Sequence, residues 1–190
     1  MLETPARIEP LFFDDAVPTI LADIAIKLQQ AADNLGRGLH PESAAELADL
    51  VRVMNSYYSN LIEGHNPRPR DIERALVGAE IDPKRRPLAL EAKAHVEIQR
   101  RIDGLALRGE LPSPTSIDFI QWIHRAFYEE MPEELRFVDK PNGSKAEIIP
   151  GEFRTISDHD VVVGRHQPPS SERVLAFMEY LQKGFAMAEK

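Results

Sequence analysis

The chain has 190 residues, and at about 150 residues per domain this favours one globular domain with at most a small appendage. With 43% hydrophobic and 28% charged residues it can bury a core and is not a disordered acidic tail. The net charge of -8 argues against nucleic acid as the main partner, and the lack of cysteine excludes disulfides, thiolate metal sites and thiol nucleophiles. We expect a soluble, cytoplasmic protein that does not bind membranes, because no apolar run is long enough to span one and residues 1–9 lack the pattern of a secretory signal.

Apolar residues at helical spacing predict two helices in the first third of the chain. The first covers Thr19–Leu35, with Pro18 near its start and Gly36 after its end. The second covers Glu42–Glu63 and carries an amphipathic stripe. Gly64 follows it at the position of a left-handed C-terminal cap.

A proline-rich break at residues 66–69 separates these helices from the next group, because a residue before proline disfavours the helical region. The pattern then predicts a short helix and two long ones, over Asp71–Gly78, Leu88–Leu107 and Ser116–Glu129. A last helix follows the Pro-Pro-Ser-Ser segment at residues 168–171 and carries an apolar stripe. That stripe consists of Val174, Phe177, Met178, Leu181 and Phe185.

Residues 132–169 do not have helical periodicity and are predicted to form a loop with a short hairpin. Pro141-Asn142-Gly143 is a turn signal, and Val161-Val162-Val163 is the tightest β-branched run. The sequence therefore predicts an all-α fold with one small β-hairpin.

Glu63 breaks a local rule, because a carboxylate in the last helical turn faces the negative end of the helix dipole. On this observation alone a solvated surface glutamate is the simpler interpretation. The surrounding residues favour a second one: Ser59-Asn60-Leu61-Ile62-Glu63-Gly64 fits the pattern Ser/Thr, three residues, Glu, then Gly or Asn. This segment resembles the inhibitory helix of Fic (Fic/Doc) proteins.

Three downstream landmarks extend this resemblance to about residues 40–185. The Trp122–Phe127 segment is similar to the family's helix before its central loop. Gly151-Glu152-Phe153-Arg154, followed by residues 160–169, resembles the flap hairpin and the turn after it. The closing helix stands in the same order as in the family.

The resemblance implies an enzyme that transfers AMP from ATP to a hydroxyl of a target protein, with Mg²⁺. The family's catalytic loop reads His-x-Phe-x-Asp/Glu-Gly-Asn-Gly/Lys-Arg-x-x-Arg, and no such segment occurs in these 190 residues. None of the six histidines begins it. We therefore expect no catalytic residue, no metal site and no cofactor in this chain by itself.

Two sets of residues receive family roles by the resemblance. Glu63 is the inhibitory glutamate, which pairs with the second arginine of the catalytic loop, and Ser59 holds that helix end in place beside Gly64. The flap is assigned to residues 161–166, whose exposed strand edge docks an extended segment of the target protein and presents its serine, threonine or tyrosine hydroxyl. The flap residues are Val161, Val162, Val163, Gly164, Arg165 and His166.

The resemblance also divides the chain. Residues 1–40 form an N-terminal extension with the first helix, 41–80 the inhibitory-helix region, and 81–190 the N-terminal part of a Fic core that lacks its C-terminal portion. Because the helices that cover the final stripe in the family lie beyond this sequence, we expect that stripe to be poorly covered and to favour self-association.

Other functions stay open. The chain could be a non-catalytic regulator, similar to the separate antitoxins that supply an inhibitory helix to a Fic enzyme, or a relative that transfers UMP or phosphocholine or removes AMP. Asp158-His159-Asp160 is a weak metal motif, because closely spaced turn residues rarely converge on one ion. His95 and His124 lie on apolar helix faces and are interpreted as core histidines.

Overall fold

The computed structural model describes residues 3–5, 17–140, 143–161 and 168–186. This part of the chain is mostly helical, with six α-helices and one two-stranded sheet. The helices are α1 (Thr19–Arg37), α2 (Pro41–Ile62), α3 (Pro69–Leu76), α4 (Arg86–Leu107), α5 (Ile117–Glu129) and α6 (Val174–Phe185). None of the described helices is both long enough and apolar enough to cross a membrane.

All six predicted helices are confirmed, with differences at their ends. Proline occupies the first or second position of α2, α3 and α4, where its missing N–H costs no helical hydrogen bond. This is why α3 begins at Pro69, two residues before its predicted start. Ser116 lies just outside α5 as its N-cap, and its side chain accepts a hydrogen bond from Phe119 N–H.

The core forms where α2, α3 and α4 meet. Val53, Ile72, Ala92 and Val96 are buried together there. Ile72 is completely inaccessible, and burial of such a side chain stabilises a fold by about 1.5–3 kcal/mol. Helix α4 also contacts α5, so it is the central helix of this assembly.

Helix α1 is different from the others, because none of its residues is buried. It makes at most marginal contact with any other helix or strand in the described residues. The short connection over residues 38–40 leads from α1 into α2.

The small sheet consists of β1 (Phe137–Asp139) and β2 (Lys145–Glu147), which pair antiparallel with Val138 opposite Ala146. These strands flank the turn predicted at residues 141–143, and Gly143 has a φ of 82° that suits a turn. Of the β-branched run at residues 161–163, only Val161 is described, and it lies in no strand. The rest of that run, Val162 and Val163, lies outside the described residues.

The approach to α6 is held by carboxylates from elsewhere in the chain. Glu3 accepts hydrogen bonds from both the N–H and the hydroxyl of Ser170, at 3.0 and 2.7 Å. The Asp160 carboxylate accepts from Ser171 N–H at 2.7 Å. The contacts with Ser170 place Glu3 beside the segment that leads into α6.

The apolar stripe of α6 is only half covered. Val174, Phe177, Met178, Leu181 and Phe185 have intermediate exposure, and no residue of α6 is buried. Self-association through this stripe stays a prediction.

Candidate functional site

The C-terminal end of α2 has the geometry that the sequence predicts. Gly64 has a φ of 84°, and its N–H donates to the Leu61 carbonyl at 3.1 Å. His65 N–H donates to the Asn60 carbonyl at 2.8 Å, which completes a Schellman cap. Glu63 is the C-cap residue and is therefore fixed at the end of the helix.

A polar cleft of about 310 Å³ opens beside this cap, where α2, α4 and α5 converge. Helix α2 contributes one end of it and α4 and α5 the other walls. The lining residues are Ser59, Asn60, Glu63, Glu91, His95, Phe127 and Tyr128.

Buried hydrogen bonds fix the floor of the cleft. The Ser56 hydroxyl, fully buried, donates to the Ala92 carbonyl at 3.0 Å and so ties α2 to α4. One turn further along, the amide of Asn60 donates to the Ser56 carbonyl at 3.0 Å. The helix that carries Glu63 is thereby held in a fixed rotation against α4.

Two carboxylates share the cleft. Burial raises the pKa of Glu91 above its ordinary value, and the negative charge of Glu63 raises it further. His65 acts in the opposite direction, with its Nδ1 4.0 Å from a Glu91 carboxylate oxygen. Among the described residues no lysine or arginine forms an ion pair with Glu63 or Glu91.

The pKa values of two other cleft residues, His95 and Tyr128, are also shifted by burial and by the neighbouring carboxylates. Burial lowers the pKa of His95, and the Glu63 charge partly counteracts this. Burial and the nearby Glu91 raise the pKa of Tyr128. Burial thus favours the uncharged form of His95, while Glu63 and Glu91 give the cleft two carboxylates that suit a cation.

A second cavity, of about 340 Å³, lies between α5, the small sheet and the start of α6. Its lining includes His124, Arg154, Val161 and Val174, and Tyr128 borders both cavities. The guanidinium group of Arg154 already has partners within the chain. It donates hydrogen bonds to the Pro169 carbonyl at 2.6 Å and to the Ser171 hydroxyl at 3.1 Å.

The structure brings together only part of the predicted site. Ser59 and Glu63 line the acidic cleft, next to the Gly64 cap, whereas Val161 lines the second cavity. The other flap residues, Val162, Val163, Gly164, Arg165 and His166, lie outside the described residues.

Sequence reasoning missed the residues that α4 and α5 add to the cleft. His95 was interpreted as a core histidine, but it is half-buried and faces the cleft. Glu91 and Tyr128 gave no signal in the sequence, because only the packing of α4 and α5 places them near Glu63. His124 does behave as a satisfied histidine, since its Nδ1 accepts from Gly151 N–H at 2.9 Å.

The two aspartates of the Asp158-His159-Asp160 motif bind different partners. The Asp158 carboxylate accepts from Lys140 Nζ at 2.6 Å, while Asp160 accepts from Ser171. Within the described ranges, no group of three His, Cys, Asp or Glu side chains is arranged to hold a metal ion.

Comparison with known proteins gives no relative of this chain. No family model matches it, and neither the curated proteins nor the solved structures include a significant match.

Proposed function

We propose that this chain is the inhibitory-helix and flap portion of a Fic-type protein adenylyltransferase, in which Glu63 holds the enzyme in an inactive state. The observation that carries the proposal is the acidic cleft at the end of α2. It brings Glu63 together with Glu91, and no lysine or arginine among the described residues pairs with either carboxylate.

The chemistry of the cleft favours a guanidinium group as its occupant. Two carboxylates can accept several of the five guanidinium N–H donors, and the hydroxyl of Ser59 adds another acceptor. Phe127 and Tyr128 also line the cleft, and aromatic rings favour a planar guanidinium because it can stack on them. Lysine, with its compact ammonium group, would use fewer of these contacts.

In this proposal the arginine comes from the family's catalytic loop. A pair between Glu63 and that arginine keeps the guanidinium from the γ-phosphate of ATP, so the phosphates cannot take their productive position. The Schellman cap supports this role, because it fixes the backbone of Glu63 and leaves its carboxylate exposed at the cleft.

The remaining parts of the reaction rest on segments other than the cleft. Residues 161–166 are proposed to dock the target protein and to present its hydroxyl. In this proposal ATP and Mg²⁺ bind at the family's catalytic loop. We therefore assign no step of AMP transfer to a residue of this chain.

The test begins with the reading frame beyond the codon for Lys190. We expect it to continue and to encode the family's catalytic loop. The protein extended through that loop should incorporate label from α-labelled ATP weakly as wild type and strongly as Glu63→Gly, because the substitution frees the arginine.

Glu130→Gly is the matched control. Glu130 is the exposed C-cap residue of α5, so the change is chemically the same at an equivalent helix position outside the cleft. Incorporation should stay at the wild-type level in this variant. Equal incorporation by all three proteins contradicts the inhibitory role of Glu63.

A stop codon directly after Lys190 favours the alternative, a non-catalytic regulator that supplies the same cleft to a separate Fic enzyme. The exposure of Glu63 to solvent is compatible with a partner arginine from another chain. The readout is then inhibition of a Fic enzyme in trans, lost in Glu63→Gly and kept in Glu130→Gly.

A further inference from the structure

Helix α1 has a continuous apolar face, and none of the other described elements covers it. Its 19 residues include no buried side chain, and its contacts with the other described elements are marginal at most. In proteins most of the stability of a helix comes from packing of its apolar face, because nucleation of the helix is unfavourable. A stable α1 therefore requires a further surface to pack against.

The apolar residues of α1 follow a 3.5-residue repeat, starting just before the helix. They are separated by four, three, four, three and four residues, which is the spacing of a coiled-coil seam. The members of this α1 seam are Val17, Leu21, Ile24, Leu28, Ala31 and Leu35. No charged residue interrupts the seam, so it suits an apolar helix as its partner.

Helix α2 has a second uncovered apolar face. Its members, the α2 seam, are Leu47, Leu50, Val51, Tyr58 and Leu61, all more than 40% exposed. At about 100° per residue this seam lies roughly a third of a turn away from the face that buries Val53, Ser56 and Asn60. Packing of α2 against α4 thus leaves the α2 seam free.

We propose that α1 of one copy packs on the α2 seam of a second copy, which gives a symmetric dimer with exchanged first helices. In a two-fold symmetric dimer the contact between the α1 seam and the α2 seam occurs twice. The same arrangement therefore covers both seams of both copies. The four helices then form a bundle in which each apolar seam faces another. The proposal is independent of the adenylyltransferase assignment.

Charge and area favour a second copy over other occupants. Helix α1 carries Asp23, Lys27, Asp33 and Arg37, so it has no basic face for an anionic membrane. The two seams carry on the order of 500 Å² of exposed apolar side chain per copy. With their flanking residues they approach the roughly 800 Å² per partner of a stable interface.

Light scattering after size-exclusion chromatography tests the dimer, with Ile24→Glu and Ile26→Glu as a matched pair. The two isoleucines are equally exposed, at 54% and 57%, but Ile24 belongs to the α1 seam and Ile26 lies on the opposite face. At tens of micromolar we expect wild type and Ile26→Glu at twice the 21.4 kDa chain mass, and Ile24→Glu at the single-chain mass. Urea unfolding checks that both variants keep the α2–α5 core.

Cysteine pairing distinguishes exchange between copies from folding back within one copy. The chain has no native cysteine, so Leu28→Cys and Val51→Cys, near the middle of the two seams, can be prepared as single-cysteine proteins. A mixture of the two, oxidised, should give a covalent dimer that contains one of each.

Three results would each overturn the proposal. The first is a monomeric wild type, and the second is a dimer that survives Ile24→Glu, which would point to the α6 stripe instead. The third is a Leu28→Cys/Val51→Cys double variant that forms its disulfide only within one chain.

Discussion

The Nδ1 atom of His124 accepts a hydrogen bond from the backbone N–H of Gly151 at 2.9 Å, which fastens the loop after β2 to the face of α5. Gly151 has a φ of 82° and lies directly over the side chain of Arg125. The loop can approach the helix this closely because residue 151 has no side chain.

Replacement of Gly151 by alanine should destabilise the fold by about 1–3 kcal/mol, since alanine is strained at this φ. Its Cβ would also lie 2.7 Å from Arg125 Nε and 3.0 Å from Arg125 Cβ. Gly143→Ala is the control: Gly143 has the same φ of 82°, but a Cβ there meets nothing within 4 Å. Urea unfolding should show a larger loss for Gly151→Ala, and equal losses would mean that the contact with Arg125 is unimportant.

His124 should titrate below its ordinary pKa of 6.5, because burial disfavours the charged ring. The folded-state pKa then lies below that of the unfolded chain, so the neutral ring stabilises the fold above about pH 6.5 and loses this contribution as pH falls. NMR should also find the proton on Nε2, since Nδ1 accepts from Gly151.

The corresponding stability measurement compares wild type with His124→Gln between pH 8 and pH 5. The advantage of wild type should shrink as the pH decreases. An advantage that does not change with pH would show that protonation of this histidine is not linked to folding.

Ile72→Ala should cost about 2–5 kcal/mol in the free energy of unfolding, because Ile72 is fully buried and its truncation leaves a cavity between α3 and its neighbours. Ile62→Ala makes the same chemical change at a side chain that is 87% exposed. We expect that control to stay within about 0.5 kcal/mol of wild type in denaturant unfolding. A similar cost at both positions would contradict the assignment of the core.

Glu63→Gln should lower the pKa of both Glu91 and His95, since the Glu63 charge raises both. Carboxyl and imidazole NMR titrations measure the two shifts. Glu130→Gln removes a carboxylate from another helix end and should leave both values unchanged. Unchanged pKa values in Glu63→Gln would place its carboxylate away from the cleft.

The helices could be predicted because their signals are local. Gly64 ends α2 in the left-handed conformation that its sequence position indicates. The strands of the small sheet are harder to predict, because each has only three residues, too few to show alternation of apolar and polar side chains. The β-propensity of a residue also depends on its partner strand. The run at Val161–Val163 therefore suggested a strand, but its described member, Val161, is in none.

Only the residues that α2 contributes to the acidic cleft could be predicted from the sequence. Ser59 and Glu63 stand four residues apart on one helix, so their proximity is a property of the local sequence. Glu91 and His95 come from a different helix, and their position follows from the rotation that the Ser56–Ala92 hydrogen bond and the Val53 packing fix. No single-sequence pattern reports that rotation.

The bond between Glu3 and Ser170 closes a segment of 167 residues, and this has a kinetic consequence. Closing so long a loop costs chain entropy that early contacts cannot offset, so the bond forms after the helices have assembled. Loss of a contact that is absent from the folding transition state changes the unfolding rate and leaves the folding rate unchanged. Loss of the Glu3 carboxylate should therefore leave the refolding rate unchanged and let the start of α6 open more often.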